Sequence, residues 1–236
     1  MVKFAGISFR GLTLDDVFLE REGLTHITTV NAAYIVTFNE DMRFRSIVND
    51  SIATFDGQAP YLVAKLLKNG ARFTKISGSD LIYRICERAA HRGERVFLLG
   101  GMPASNARSL EILQMQNPNL MIAGFSPPLE PYPFSKKQNR AILQRIREFK
   151  PHYLLVGFGA RKQLYWIDDH REALTDAGVR LAVGVGGAFE MVSGRLKRAP
   201  HCLQLLGLEG IYRFLRQPER FRLERLIKSA RFLRYI

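Results

Sequence analysis

Short runs of consecutive apolar residues alternate along this chain with longer stretches in which apolar residues recur every three or four positions. The runs THITTV (25–30), SIATF, RVFLLGG, LMIAGF, HYLLVGFG and RLAVGVGG predict strands. Several lack polar alternation, as expected of strands covered on both faces. The periodic stretches predict helices, beginning with one over about 32–48 that has Asn31 at its N-cap. APYLVAKLLKNG closes at Gly70, and SDLIYRICERAAHRG carries Leu81, Ile82, Ile85 and Ala89 on one face with Gly93 as C-cap. Further helices are predicted over 105–116, 136–149 and 161–174. Strands alternating with helices imply an α/β chain: a Rossmann-like, mainly parallel sheet with helices on both faces. Ligands of such sheets sit beyond the carboxyl ends of the strands. FSPPLEPYPF (125–134), with four prolines, predicts a loop placed to close over a ligand.

The rhythm stops near Arg195, which divides the chain into a core, 1–194, and a basic helical appendage, 195–236. Charge sharpens this boundary. The appendage holds eleven Lys/Arg against three Glu, so +8 of the chain's net +13 lies there. Its basic residues, among them Arg213, Arg216, Arg220, Arg222, Arg225, Lys228, Arg231 and Arg234, interleave with Leu206, Leu208, Ile211, Phe214, Leu215, Phe221, Leu226, Ile227, Phe232 and Leu233. An anionic partner follows: a membrane surface, a nucleic acid or phosphates. The apolar content suits a helix lying in an anionic interface, where each basic residue contributes about 1 kcal/mol. The plainer reading is a helix packed on the core with a solvated basic face.

Other features narrow the class. At 236 residues and 47% hydrophobic, the chain can bury its own core. Apolar runs such as YLLVGFGA fall far short of the roughly 20 residues that span a bilayer, and the opening MVKFAGISFRGLTLDD has no long apolar leader. Cys86 and Cys202 read as small core residues in a reducing cytoplasm, and no Cys/His spacing suggests a metal.

The predicted strands end in polar or glycine turns: Thr29 and Asn31 after the first, Asp56-Gly57 after the second, then Gly100-Gly101, Gly157-Phe158-Gly159 with Lys162 and Gln163, and Gly184 to Gly187. Such glycines let backbone N–H groups approach a ligand, and the helix N-termini that follow favour phosphate. None of the turns is G-x-G-x-x-G, and no acidic residue about 20 positions on supplies a ribose ligand, so a dinucleotide oxidoreductase is a weak alternative. A nucleic-acid-binding protein using the basic tail is another, although no recognised module appears. Asp56, just past a buried strand, has the position of a general base for an attacking hydroxyl. It also has the position of a turn aspartate or N-cap.

Taken in order, TVNAAYIV, FDGQAP, ISGSDLIYRICERAAHRGERVFLLGG, PHYLLVGFGARKQLYWI, GVGGAFEMVSGRLKRAP and LGLEGIYRFLRQPER resemble the WecG/TagA/CpsF glycosyltransferases, glycosyltransferase family 26, over about 29–225. The resemblance implies an inverting, metal-independent transfer of a sugar from a UDP-sugar to a polyprenyl-diphosphate-linked saccharide, without a cofactor. The setting it implies is the inner face of the bacterial plasma membrane, in teichoic-acid linkage-unit, common-antigen or exopolysaccharide synthesis, and oligomers are expected. It assigns Asp56 as general base, Thr29 and Asn31 as a substrate-pocket pair, and Gln163 as the glutamine of A-x-K-Q. Lys162 and the turns at Gly100, Gly101, Gly159, Gly186 and Gly187 would meet the donor's charge, and Arg213 and Arg220 would reach the diphosphates. The chain departs from the family pattern at Arg161 (for proline), Leu164 (for glutamate) and Glu190 (for a nucleotide-contacting aspartate).

Overall fold

A computed structural model describes residues 1–236 except 69, 197–198, 201–202, 204–206, 208, 217 and 219, and except the side chains of 213, 216, 221, 222 and 225. Eight strands form one sheet: β1 (Val2–Phe4), β2 (Ile7–Gly11), β3 (Thr25–Val30), β4 (Ile52–Phe55), β5 (Arg95–Gly100), β6 (Met121–Phe125), β7 (Tyr153–Gly157) and β8 (Leu181–Gly184), in the order β1-β2-β4-β3-β8-β7-β5-β6. β1 pairs with β2 antiparallel, whereas β2–β4, β3–β8, β8–β7, β7–β5 and β5–β6 are parallel. The α/β, mainly parallel, Rossmann-like architecture expected from the sequence is the one observed. β3, β4 and β8 are buried at every position, as strands without polar alternation should be.

The contacts divide the chain into two compact units. One comprises Met1–Leu19, Thr28–Ser77 and Lys197–Ile236; the other comprises Glu20–Ile27 and Gly78–Leu196.

The first unit contains β1, β2, β4, the end of β3, and helices α1 (Leu14–Phe18), α2 (Ala32–Glu40), α3 (Met42–Asp50) and α4 (Gln58–Leu67). Its core is aromatic: Phe9 stacks on Phe55 with centroids 3.7 Å apart, Phe55 stacks on Phe73 at 4.8 Å, and Tyr61 meets Phe73 edge-on at 5.7 Å. The helix expected over 32–48 is two helices. Asp41 adopts an extended backbone and its carboxylate accepts the Phe44 N–H at 3.0 Å, so it caps α3 instead of continuing α2. The tail contributes α11 (Glu209–Arg216), α12 (Arg220–Ala230) and a closing 3-10 helix (Arg231–Tyr235). α12 and the 3-10 helix pack against α2. Phe232 is buried there, and Glu40 accepts from both Arg231 and Tyr235.

The second unit holds β5–β8, the start of β3, and helices α5 (Gly78–Arg92), α6 (Pro103–Gln116), α7 (Lys136–Phe149), α8 (Ala160–Asp169), α9 (Arg171–Asp176) and α10 (Ala188–Val192). α5 buries Leu81, Ile82, Ile85, Cys86 and Ala89, the spacing of one helical face. Burial pushes the Cys86 thiol up to about 12, so it stays protonated and inert. Trp166, fully buried, anchors a cluster with Ile142, Ile146, Leu154, Val156 and Ile167, and its indole N–H donates to Asn139 at 2.9 Å. The helix expected over 161–174 breaks at His170, whose ring stacks on Trp166 with centroids 4.6 Å apart and whose Nδ1 lies 2.8 Å from the Trp166 carbonyl.

At the amino ends of β5, β7 and β8, Glu94 joins the strands. Arg180 and Arg92 donate to its carboxylate at 2.7 and 3.1 Å, and the Tyr153 hydroxyl donates to its other oxygen. Burial raises this carboxyl, but the tyrosine bond and the two guanidiniums outweigh it and hold the group below the usual carboxylate range. The clamp leaves the opposite, carboxyl ends of these strands to the glycine turns.

Candidate functional site

In the second unit, the carboxyl ends of β5, β7 and β8 open into a cleft of about 310 Å³, within the size range of small-ligand pockets. Its lining contains Gly100, Gly101, Gly159, Gly186, Gly187, Lys162 and Glu190. Thus the turn glycines after β5, β7 and β8, together with the lysine and the glutamate, face one cavity, whereas Gly57 and Gly184 are not in its lining. The prolyl loop supplies a further wall through Pro127, Pro128, Leu129, Glu130 and Phe134. It is tied at its start, where Ser126 Oγ donates to the Gly100 carbonyl at 3.0 Å. Met102 and Phe158 complete the lining.

Close packing explains why glycine is required here. A Cβ on Gly101 would lie 2.8 Å from Phe189 Cδ2, and one on Gly157 would lie 2.8 Å from Phe189 Cε2. The Phe189 ring is wedged beneath both turns, and Ser109 Oγ holds its backbone by donating to the Phe189 carbonyl at 3.0 Å. Gly101 also has φ +70°, which an L side chain rarely adopts. The cleft floor is therefore backbone, with no side chain between it and a ligand.

Three helices begin at this floor. Met102, Gly159 and Gly187 are the N-caps of α6, α8 and α10; none makes a side-chain cap bond, and all three line the cleft. The amino ends of these helices carry partial positive charge and, joined by half-buried Lys162, suit an anion. Glu190 Oε1 accepts the Met102 N–H at 3.3 Å, which places one carboxylate at the α6 end of the cleft.

Gln163 lies behind the lining. It is 2% exposed, and its Oε1 accepts the Gly186 N–H at 3.0 Å, fixing the Gly186-Gly187 turn from beneath. Its amide fills the space beside Gly184, where an added Cβ would come within 2.5 Å of Nε2. Leu164, at the family's glutamate position, is buried as well, whereas Arg161 is exposed.

In the first unit, Thr29, Asn31 and Asp56 gather at the carboxyl ends of β3 and β4. The Asp56 N–H donates to the Val30 carbonyl at 2.9 Å. Asp56 is half-buried, and the N-cap of α4 is Gly57 (φ +86°), so Asp56 does not hold the capping position. Asn31 does cap its helix: Oδ1 accepts the Tyr34 N–H at 3.2 Å. The Asn31 side chain lies against Gly57, 3.9 Å from where a Cβ would be. Thr29 is 6% exposed. Beside this group, Lys75 Nζ donates to Gln58 Oε1 at 3.2 Å in the first turn of α4.

The two arginines named from the tail differ. The Arg213 side chain lies outside the described residues, as does Cys202. Arg220 is 93% exposed at its side chain and pairs with Glu224 one turn on at 3.1 Å, a surface pair of little energetic weight.

Sequence reading did not name the individual residues of the prolyl wall and gave Phe158 no role, although the four prolines did signal a loop over a ligand. Phe134 and Phe158 meet edge to face at 5.0 Å, which gives the cleft an aromatic side. Among the described residues, no group of three or more His, Cys, Asp or Glu is placed to hold a metal ion. None of the described helices is long and apolar enough to cross a membrane. From residue 2 to residue 236 the chain matches the family described as Glycosyl transferase WecG/TagA/CpsF family. A parallel sheet, a glycine-floored cleft at its carboxyl edge and a match along nearly the whole sequence together assign this chain to the WecG/TagA/CpsF glycosyltransferases.

Proposed function

We propose that the protein transfers a sugar, with inversion, from a UDP-sugar to a polyprenyl-diphosphate-linked saccharide during cell-surface polysaccharide synthesis, and does so without a metal ion. The observation that carries this reading is the cleft where three helix N-termini, glycine backbone and Lys162 meet. Those groups suit the diphosphate of the donor. Glu190, being anionic, is disfavoured near phosphate and is assigned to the ribose hydroxyls, where its longer side chain stands in for the family's aspartate. Phe134 and Phe158 offer ring faces to the uracil.

In the proposed step, Asp56 takes the proton of the acceptor hydroxyl as that oxygen bonds to the anomeric carbon from the face opposite UDP. The bond from that carbon to the phosphate oxygen breaks, and its electron pair leaves with UDP. The growing charge on the leaving diphosphate is met by backbone N–H groups and Lys162. One base suffices, because inversion needs a single in-line displacement. Thr29 and Asn31, beside Asp56, are assigned to the acceptor saccharide. The appendage, 195–236, is proposed to hold the enzyme on the inner face of the plasma membrane, with Arg213 and Arg220 directed to the lipid diphosphate.

The test is a screen of UDP-sugars for binding and turnover, with Asp56→Asn as the decisive variant. That variant is expected to keep its fold and UDP affinity while losing at least about 100-fold in turnover, the usual weight of a general base. Turnover close to wild type would remove Asp56 from the mechanism.

A further inference from the structure

α4 is amphipathic in the wrong sense for a helix that only packs on a core. The residues it buries are Pro60 and Ala64. Leu62 and Leu66, two positions on from these and so on the far side of the helix, are 41% and 81% exposed. Small side chains face inward and leucines face water. A folded protein gains nothing from that arrangement alone; contiguous exposed leucines mark a surface that meets an apolar phase.

The charges around the helix identify that phase. Between Asp56 and Asp80 there is no acidic residue, while Lys65, Lys68, Arg72 and Lys75 give four positive charges. Lys65, Lys68 and Arg72 are exposed. Leucines ringed by cations match the boundary of an anionic bilayer, with the apolar groups below the headgroups and the ammonium groups among them. A second copy of this chain is a poor occupant, since each copy carries +13 and would bring an equally cationic face. The neighbouring chain supports the same assignment. The tail passes over the first turn of α4 at Gly207, where an added Cβ would lie 3.6 Å from the Ala59 nitrogen. Along the tail Ile211, Leu215 and Ile227 are 47%, 73% and 58% exposed.

We infer that the Leu62–Leu66 face of α4 is a membrane-contacting surface for anionic lipid, separate in sequence from the basic tail. α4 starts two residues after Asp56, so a helix seated on the bilayer would tether the proposed base close to the lipid plane. Two linked contacts, helix and tail, would hold the protein far more firmly than either alone. The inference draws its biological sense from the lipid-linked acceptor proposed above, but vesicle binding reads the surface without reference to transfer.

The experiment uses the full chain and vesicles of phosphatidylcholine with or without phosphatidylglycerol. The double variant Leu62→Ser/Leu66→Ser is expected to keep its circular dichroism and melting behaviour while its partition into anionic vesicles falls about tenfold, from the lost apolar transfer. In Leu66→Trp, emission is expected to shift to the blue on adding anionic vesicles and to be quenched by brominated lipid. Both variants should transfer sugar to a short-chain, water-soluble acceptor at the wild-type rate. Wild-type partition by the double variant, unchanged emission of Leu66→Trp, or a wild-type dimer in lipid-free solution that Leu66→Ser dissociates would each overturn the inference. A wild-type protein that binds vesicles through α4 but transfers no sugar would instead sink the functional reading and leave the surface standing.

Discussion

One amide proton, that of Gly186, shows how a residue outside the cleft can govern it. Gln163 Oε1 is its acceptor, and Gln163 is otherwise walled in by Gly184 and the core. Replacing Gln163 with leucine leaves that N–H without its partner and frees the turn that carries Gly187, one of the cleft's N-caps. A lost bond of this kind is worth about 1 kcal/mol, so Gln163→Leu is expected to weaken UDP binding about fivefold. If Gln163 acts by positioning, the donor KM rises while kcat changes less than twofold. Equal loss in kcat and kcat/KM, by titration calorimetry and steady-state kinetics, would make it a substrate contact instead. The sequence marks Gln163 through family resemblance, but its burial depends on β8 passing behind α8, a contact that residue spacing does not encode. Asn31 is the reverse case: its N-cap role was legible from Asn before an apolar run, because capping is a local competition for the first amides of a helix. Asp56 reads equally well as a cap in the sequence, and it is the position of Gly57 at the start of α4 that removes that reading.

Strand β3 carries the cost of a polar residue in a fully buried element. Its sequence, THITTV, was readable as a strand from β-branched residues, and all six positions are buried. His26 is its second residue, 2% exposed, with neither ring nitrogen hydrogen-bonded among the described residues. Burial, reinforced by the charge of Arg171, lowers its pKa to about 3 from 6.5. The unfolded chain therefore binds a proton below pH 6.5 that the native state refuses, and stability falls as the pH drops from 6.5 toward 3. The expected slope is about 1.4 kcal/mol per pH unit for this one group. Urea unfolding at pH 7 and at pH 5 should show the loss, and His26→Leu should shallow it by about that amount per unit. An unchanged slope in the variant would clear His26 and leave His152, whose pKa is also lowered by burial and by Arg180 and Arg95, as the source. Elements misread from the sequence share a cause. Helices expected over 32–48 and 161–174 are each broken by a polar side chain, Asp41 or His170, that bonds locally instead of extending the helix. The β1–β2 hairpin went unread because its strands are short and its turn, Ala5-Gly6 with φ 49° and 80°, lacks the usual Asn-Gly or Asp-Gly signal.

Across the whole molecule, composition marks a change near residue 195 and leaves open where the tail lodges. A charge count reports a boundary; which surface a helix covers depends on complementary burial. α2 buries five consecutive residues, Tyr34 to Phe38, more than one face of a helix can hide, and the tail is what packs upon it through α12 and the 3-10 helix. Removing residues 195–236 would expose that helix, strip Glu40 of Arg231 and Tyr235, and take away Phe232, whose burial alone is worth about 2 kcal/mol. The truncated protein is therefore expected to unfold at lower temperature and to lose transfer to lipid-borne acceptors. Phe232→Ala separates the two effects. It should reproduce a substantial part of the thermal loss, about 3 kcal/mol for a buried phenylalanine, while keeping the basic residues proposed to meet lipid. If Phe232→Ala transfers to membrane-embedded acceptor at near wild-type rate below its melting point, and the truncation does not, the tail serves substrate access as well as stability. If both variants fail in proportion to their unfolding, measured by calorimetry alongside turnover, the tail is a strut for α2 and the membrane role proposed for it falls.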